Sequence, residues 1–303
     1  PERMKPLSLR PSLTNLPSSI DYDGIYEQLN RLNLAVYVPT NFLLESRRAK
    51  YIDPATNIDR AGREAGIRRL MCINLLKRLE SSVASFRITL ERVHQLIYET
   101  IVQIDNHTQG AHQWIYADEA AENELDYDDQ NSFVFSRRNN RMDIDLDDMD
   151  YVSWRERLKS DADILSSLMA KVKAITPDND LKLQTLLTLI QSKIERPIND
   201  DNKKILIFSA FADTVEYLFN HVAIYAKQRF RLDTAMITGS VDGKTTATVR
   251  RSDMNTILTL FSPRSKDKQL LMPDDPATIE ILIATDCISE GQNLQDCDYC
   301  INY

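Results

Sequence analysis

Glu280-Ile-Leu-Ile-Ala-Thr-Asp286 runs straight into Cys287-Ile-Ser-Glu-Gly-Gln-Asn-Leu-Gln295, and beyond Asp296 the chain reads Cys297-Asp-Tyr-Cys-Ile-Asn-Tyr303. Ile281, Leu282 and Ile283 make a short, β-branched apolar run that ends abruptly in Thr285 and Asp286. Such a run, apolar at every position, is what a strand buried on both faces of a parallel sheet requires. A Ser-Glu-Gly turn follows, then a second strand-like run. Polar side chains just past a strand's carboxyl end lie where open α/β sheets bind ligands. The chemistry is therefore expected at this end of the chain.

Working back from that stretch, strands are expected over 204–209, 235–238, 280–285 and 299–303. Helices at about 212–229 and 248–260 separate the first three. Strands alternating with helices form a parallel sheet with right-handed crossovers. Residues 262–278, with three prolines and mixed charges, read as a loop inserted before the third strand. Upstream, Asp180 is placed to cap a short helix over 181–194 that Pro197 ends, and a helix is expected over about 154–175.

The first half has a different rhythm. Residues 1–24 lack a period and read as an extended arm, followed by a short helical pattern at Ile25, Leu29 and Leu32. From Cys72 the apolar residues Leu76, Leu79, Val83, Phe86, Leu90, Val93 and Ile97 step by fours and threes. That stripe predicts one long helix over roughly 64–104, about 60 Å in length, which must fold back or project. Residues 47–92 carry eleven Lys or Arg against five acids. They are either a phosphate-tracking face, with Arg68, Arg69, Lys77 and Arg78 at its centre, or a solvated helix surface. From 118 to 150 twelve acids predict a mobile acidic loop. Asp143, Asp145 and Asp147 alternate as in calcium loops, but the glycine and closing glutamate of that motif are missing, so no metal site is expected.

The 303 residues suffice for two units and a sizeable core, and the formal net charge of −8 confines any nucleic-acid binding to a local patch. Seven glycines suit a helix-rich protein. No apolar run reaches the ~20 residues of a membrane span, and the first residues lack a signal-peptide core. Four cysteines in a chain of this size do not make a disulfide framework, so a reducing, cytoplasmic setting is expected. Without an initiator Met and closing on a strand, the chain reads as a piece of a longer polypeptide.

Two other motifs compete for attention. Thr238-Gly-Ser-Val-Asp-Gly-Lys-Thr-Thr246 contains Gly243-Lys244-Thr245 between a strand and a helix, as a P-loop does. A P-loop has four residues between its glycines, and here there are three. A self-contained P-loop NTPase is nonetheless one alternative, and a non-enzymatic helical scaffold is another. Cys297 and Cys300 have C-x-x-C spacing without a second pair or nearby histidines, and read as two buried free thiols.

Four segments in order now carry a resemblance. Lys204-Ile-Leu-Ile-Phe-Ser-Ala-Phe211 with Asp213-Thr-Val-Glu-Tyr-Leu218 resembles motif IV of superfamily-two helicases, above all the Swi/Snf-type ATP-dependent translocases, with Ala210 where the family often has Gln. Ile237-Thr-Gly-Ser240 is similar to the next loop of that lobe, and Arg250 to Phe261 to its following helix. Residues 284–295 with 299–303 are similar to motif V and the strand after it. Leu181-Lys-Leu-Gln-Thr-Leu186 resembles the helix leading into the lobe, and residues 70–97, more loosely, the helical segment between lobes of bacterial helicase-like proteins.

The resemblance implies an α/β RecA-like lobe of the P-loop NTPase type over 177–303, preceded by a mostly α-helical region over 1–176. It implies a parent that couples ATP hydrolysis to movement on nucleic acid, most readily double-stranded DNA. ATP and Mg2+ would be held mainly by a first lobe, bearing the Walker motifs, that is absent here. Motif VI and its arginine finger are also absent, so the fragment alone is expected to be inactive. Ser209, Thr238, Gly239, Thr285 and Ser289 would meet the nucleic-acid strand. Asp286, Glu290 and Gly291 would face the ATP cleft.

Overall fold

The computed structural model describes residues 5–16, 20–51, 60–110, 113–115, 144–239, 243–288 and 292–303. Its first half is helical. Helix α1 (Tyr22–Asn30) starts where the Asp21 carboxylate accepts the Gly24 amide. Helices α2 (Arg60–Ser81) and α3 (Val83–Asp105) follow, and α4 (Tyr151–Lys173) packs along α3.

The single long helix expected from the apolar stripe is two helices. Ser82 is extended (φ −158°, ψ 152°), and its hydroxyl accepts the Ser85 amide at 3.0 Å, so α3 has an N-cap of its own. A serine that offers the backbone a local partner competes with helix continuation. The apolar stripe holds along α3 at Val83, Phe86, Leu90, Val93 and Ile97. On α2 it holds at Leu79 but is displaced by one residue before that, because Met71 and Leu75 are buried while Cys72 and Leu76 are only partly covered. Breaking at Ser82 lets both helices reach one core, which runs from Leu13 to Ile175 and includes Trp154 and Ile144.

Residues 118–143 lie outside the described residues, so the mobile-loop expectation bears only on 144–150, where it is corrected. There Ile144, Leu146 and Met149 belong to the core, and strand β2 (Ile144–Asp145) pairs antiparallel with β1 (Trp114–Ile115). The acids are taken up by protein partners. Asp148 accepts from Tyr51 at 2.7 Å and from Lys50 at 2.6 Å. Asp147 holds His107 and the Gly110 amide, and Asp145 accepts the Asp147 amide. Among the described residues no group of three His, Cys, Asp or Glu is arranged for a metal ion.

Past residue 176 the chain builds a sheet. Helix α5 (Leu181–Glu195) begins where the Asp180 carboxylate accepts the Lys182 and Leu183 amides. Strand β3 (Ile205–Phe208), helix α6 (Ala212–Phe230), β4 (Thr234–Ile237), β5 (Lys244–Thr245), helix α7 (Met254–Phe261), the four-residue α8 (Lys268–Leu271), β6 (Ile281–Ala284) and β7 (Cys300–Asn302) follow. The strand order is β5-β4-β6-β3-β7, parallel throughout except for β5. Ile205, Ile207, Ile281 and Ile283 pack under α5 and α6, while Leu206, Leu282 and Ala284 pack under α7. Burial on both faces is why these strands read as unbroken apolar runs. Among the described residues no helix is long and apolar enough to cross a membrane.

A buried polar cluster closes the lobe against the helical half. Tyr217 donates to Asp180 at 2.8 Å, and the Lys182 ammonium lies 4.1 Å from the Tyr303 ring centroid. Burial pulls the Lys182 ammonium from its ordinary 10.5 down to about 8, against the opposing pull of Asp180 and Glu80. The unfolded chain therefore binds more protons than the folded one between those values, and stability rises with pH across that window. Against a Lys182→Met variant, the wild-type chain should gain on the order of 1–2 kcal/mol between about pH 8 and about pH 9.5 in denaturant titrations. Above about pH 10 both chains lose stability alike, because the unfolded tyrosines ionise while burial holds the folded Tyr217 and Tyr303 hydroxyls protonated. A flat difference would remove Lys182 as the titrating group.

Candidate functional site at the carboxyl rim of the sheet

Four strands pointing the same way end in one row. The register matches Phe208 with Ala284 and Asn302, and Ile237 with Ala284. The next residues, Ser209, Thr238, Thr285 and Tyr303, must therefore stand side by side at the carboxyl rim. Backbone bonds fix them there: the Ser209 amide donates to Ala284 (3.1 Å), Thr285 to Ile237 (3.2 Å) and Tyr303 to Phe208 (2.8 Å). Five of the candidate residues (Ser209, Thr238, Gly239, Thr285 and Asp286) are thus gathered by topology alone.

Their surroundings differ. Asp286 is exposed just beyond β6, at the start of a single 3-10 turn. Thr285 is buried, and its hydroxyl donates to the Cys287 thiol at 3.3 Å. Thr238 is 7% exposed, and its Oγ1 has no hydrogen-bond partner among the described residues. A buried hydroxyl in that state costs about 1–3 kcal/mol, a cost that an arriving polar ligand would remove. A Cβ at Gly239 would meet only the Cys287 Cβ at 3.8 Å, so nothing in the described protein requires glycine there. Ser289, Glu290 and Gly291 lie outside the described residues.

Ser209 and Arg78 turn out to be structural. Ser209 is buried with its hydroxyl 3.2 Å from that of Ser81, which takes it off the accessible rim. Arg78 is 4% exposed, pairs with Asp213 at 2.7 Å and stacks over the Phe211 ring at 4.6 Å. It cannot serve a phosphate face. Arg68, Arg69 and Lys77 are all exposed along α2. Sequence reasoning missed Asp213, Phe211 and Lys182 as partners of the helical half because the contacts span more than a hundred residues. A helix pattern carries no signal of such a partner.

The P-loop reading is corrected. Lys244 and Thr245 form β5, antiparallel to β4, rather than a loop opening a helix, and the next helix starts only at Met254. The Lys244 ammonium pairs with Glu216 at 2.7 Å. Gly243 is needed for packing, since a Cβ there would come within 2.3 Å of Ile257 Cδ1 and 2.7 Å of the Ser252 carbonyl. A phosphate cradle needs successive free amides at a helix start, and this backbone is committed to the sheet. The expectation of two buried thiols also needs correcting. Cys297 is partly covered, its thiol pushed up to about 11 by burial, while Cys300 on β7 is exposed.

The described rim offers hydroxyls and one exposed carboxylate. Those groups fit a ribose hydroxyl, a phosphate oxygen or a guanidinium. They do not make a magnesium site.

Residues 181–303 match the family described as the helicase conserved C-terminal domain. Among solved structures the chain is similar to the crystal structure of the Pyrococcus furiosus Hef helicase domain, at 15% identity and a TM-score of 0.41. That similarity covers 96% of this chain and 48% of the other, so the chain spans about half the length of that relative. No curated protein matches. Residues 181–303 thus match a helicase conserved C-terminal domain and have the fold of a RecA-like α/β lobe that follows a mostly helical region.

Proposed function

We propose that residues 177–303 are the second lobe, and residues 1–176 an inter-lobe or accessory helical region, of a Swi/Snf-like translocase that couples ATP hydrolysis to movement on double-stranded DNA. The observation that carries this reading is the row of Thr238, Thr285 and Asp286 at the carboxyl ends of adjacent parallel strands, within the matched helicase domain. In this reading Thr238, with its unsatisfied hydroxyl, and Thr285 bind a strand's phosphates, and the Gly239 backbone runs alongside. Ser289 belongs to the same contact. Asp286, with Glu290 and Gly291 beside it in sequence, faces the nucleotide cleft that a first lobe completes, and ATP with Mg2+ sits mainly on that lobe. Four free cysteines fit a reducing, cytoplasmic setting.

In the full polypeptide, Asp286→Ala should lower DNA-stimulated ATP turnover about 10–100-fold with the fold intact. Turnover equal to the parent's would sink the cleft assignment. The cations on the open side of α2 make a second, separate prediction. Reversing Arg68, Arg69 and Lys77 to Glu should weaken duplex DNA binding and flatten its salt dependence by about one unit of slope for each phosphate no longer neutralised. An unchanged slope would return those residues to ordinary solvated surface. Arg78 is left out of that set because its charge is already committed to Asp213.

A further inference from the structure

The break between α2 and α3 is also where the helical half meets the lobe, and its chemistry is that of a locked contact. The Ser81 hydroxyl lies 2.8 Å from that of Thr214 and 3.2 Å from that of Ser209. The Ser82 hydroxyl, already capping α3, is 2.8 Å from Thr214 as well. All four side chains are buried. One turn earlier, Arg78 bridges to Asp213 and to Ser85, its guanidinium over the Phe211 ring. From the other side, Lys182 donates to the Glu80 and Ser81 carbonyls at 2.6 and 2.8 Å, the groups that α2 leaves open at its end.

Buried hydroxyls satisfied chiefly by one another, and a guanidinium sunk beside a carboxylate, lose their partners together if the surfaces part. An interface built to swing would use exposed, individually weak contacts instead. The contact also reaches the rim: Ser209 is bonded through its amide to Ala284, the residue before Thr285. We infer that the Ser81–Ser82 elbow is a fixed joint, by which the helical region and the lobe move as one body and displacement of the rim is passed directly to α2 and α3. The inference holds whatever the rim binds.

The test uses the whole 303-residue chain. Spin-labelled amino acids at positions 98 and 224, exposed on α3 and α6, report the distance between the two halves by pulsed electron resonance. A single narrow distribution is expected. Thr214→Val combined with Asp213→Ala should broaden it about twofold, and should speed hydrogen exchange of the elbow amides 81–86 about tenfold while amides 281–284 keep their protection. A broad distribution in the parent chain, or no change in the double variant, would overturn the inference. Should the double variant fail to fold, Ser81→Cys with Ser209→Cys decides instead, because the two hydroxyl oxygens stand 3.2 Å apart. Near-complete cross-linking with the distance distribution unchanged supports a fixed joint, and little cross-linking in the folded chain refutes it.

Discussion

Trp154→Ala should lower the unfolding free energy by about 4 kcal/mol, within the range for emptying a buried aromatic site. Trp154 is 1% exposed in the helical core, near the Phe42 ring, and its indole N–H donates to the Ala35 carbonyl at 2.9 Å. Alanine would leave a cavity that the surrounding helices can only partly fill, and would orphan that carbonyl. Trp154→Phe keeps most of the volume and loses the hydrogen bond, so it should cost about 1–2 kcal/mol. Urea titration followed by circular dichroism at 222 nm reads both. A loss below about 1 kcal/mol for alanine would mean that the core is not organised around this ring.

Asp161→Ala should be nearly as damaging, at about 3 kcal/mol. Asp161 is wholly buried on α4 and accepts the Asn33 and Ala35 amides, both at 2.8 Å. Between those amides sits Leu34, buried, with a left-handed backbone (φ 50°, ψ 48°) that costs an ordinary L-residue about 1–2 kcal/mol. Trp154 and Asp161 thus grip the same short segment from carbonyl and amide sides and hold Leu34 in place. Their substitutions should be non-additive, with a coupling of about 0.5–3 kcal/mol in a double-mutant cycle of Trp154→Phe and Asp161→Asn. Additive losses would show that the two anchors act separately.

The lobe was legible because its central strands β3, β4 and β6 are buried on both faces. An apolar run such as Ile281 to Ile283 has no other use in a βαβ array, and it pointed to a parallel sheet, but neither the strand order nor the antiparallel β5 could be read from it. The residues collected at the rim follow from parallelism rather than from any motif. What stayed hidden were contacts settled by partners far away in sequence. Arg78 and Ser209 look like surface and strand-end groups until Asp213 and Ser81 are brought to them. The Ser82 break was masked by an apolar spacing that continues across it, and a single serine is too weak a local signal to outweigh some forty residues of helical period. Gly243-Lys244-Thr245 misled for the opposite reason, since the letters of a motif were present without the strand-to-helix turn that gives them meaning.

The sheet's connectivity has a consequence for how the protein is made. Ile205 of β3 pairs with Ile281 of β6, and Leu206 with Cys300 of β7. During synthesis β3 leaves the ribosome with both its flanks open, and neither neighbour exists until translation has passed residue 281. The helical core, complete by Ile175, has no such wait. Nascent chains should therefore carry a finished helical body and an unpaired, oily strand for several seconds, which makes this lobe the part most dependent on chaperones and most prone to aggregate when translation stalls.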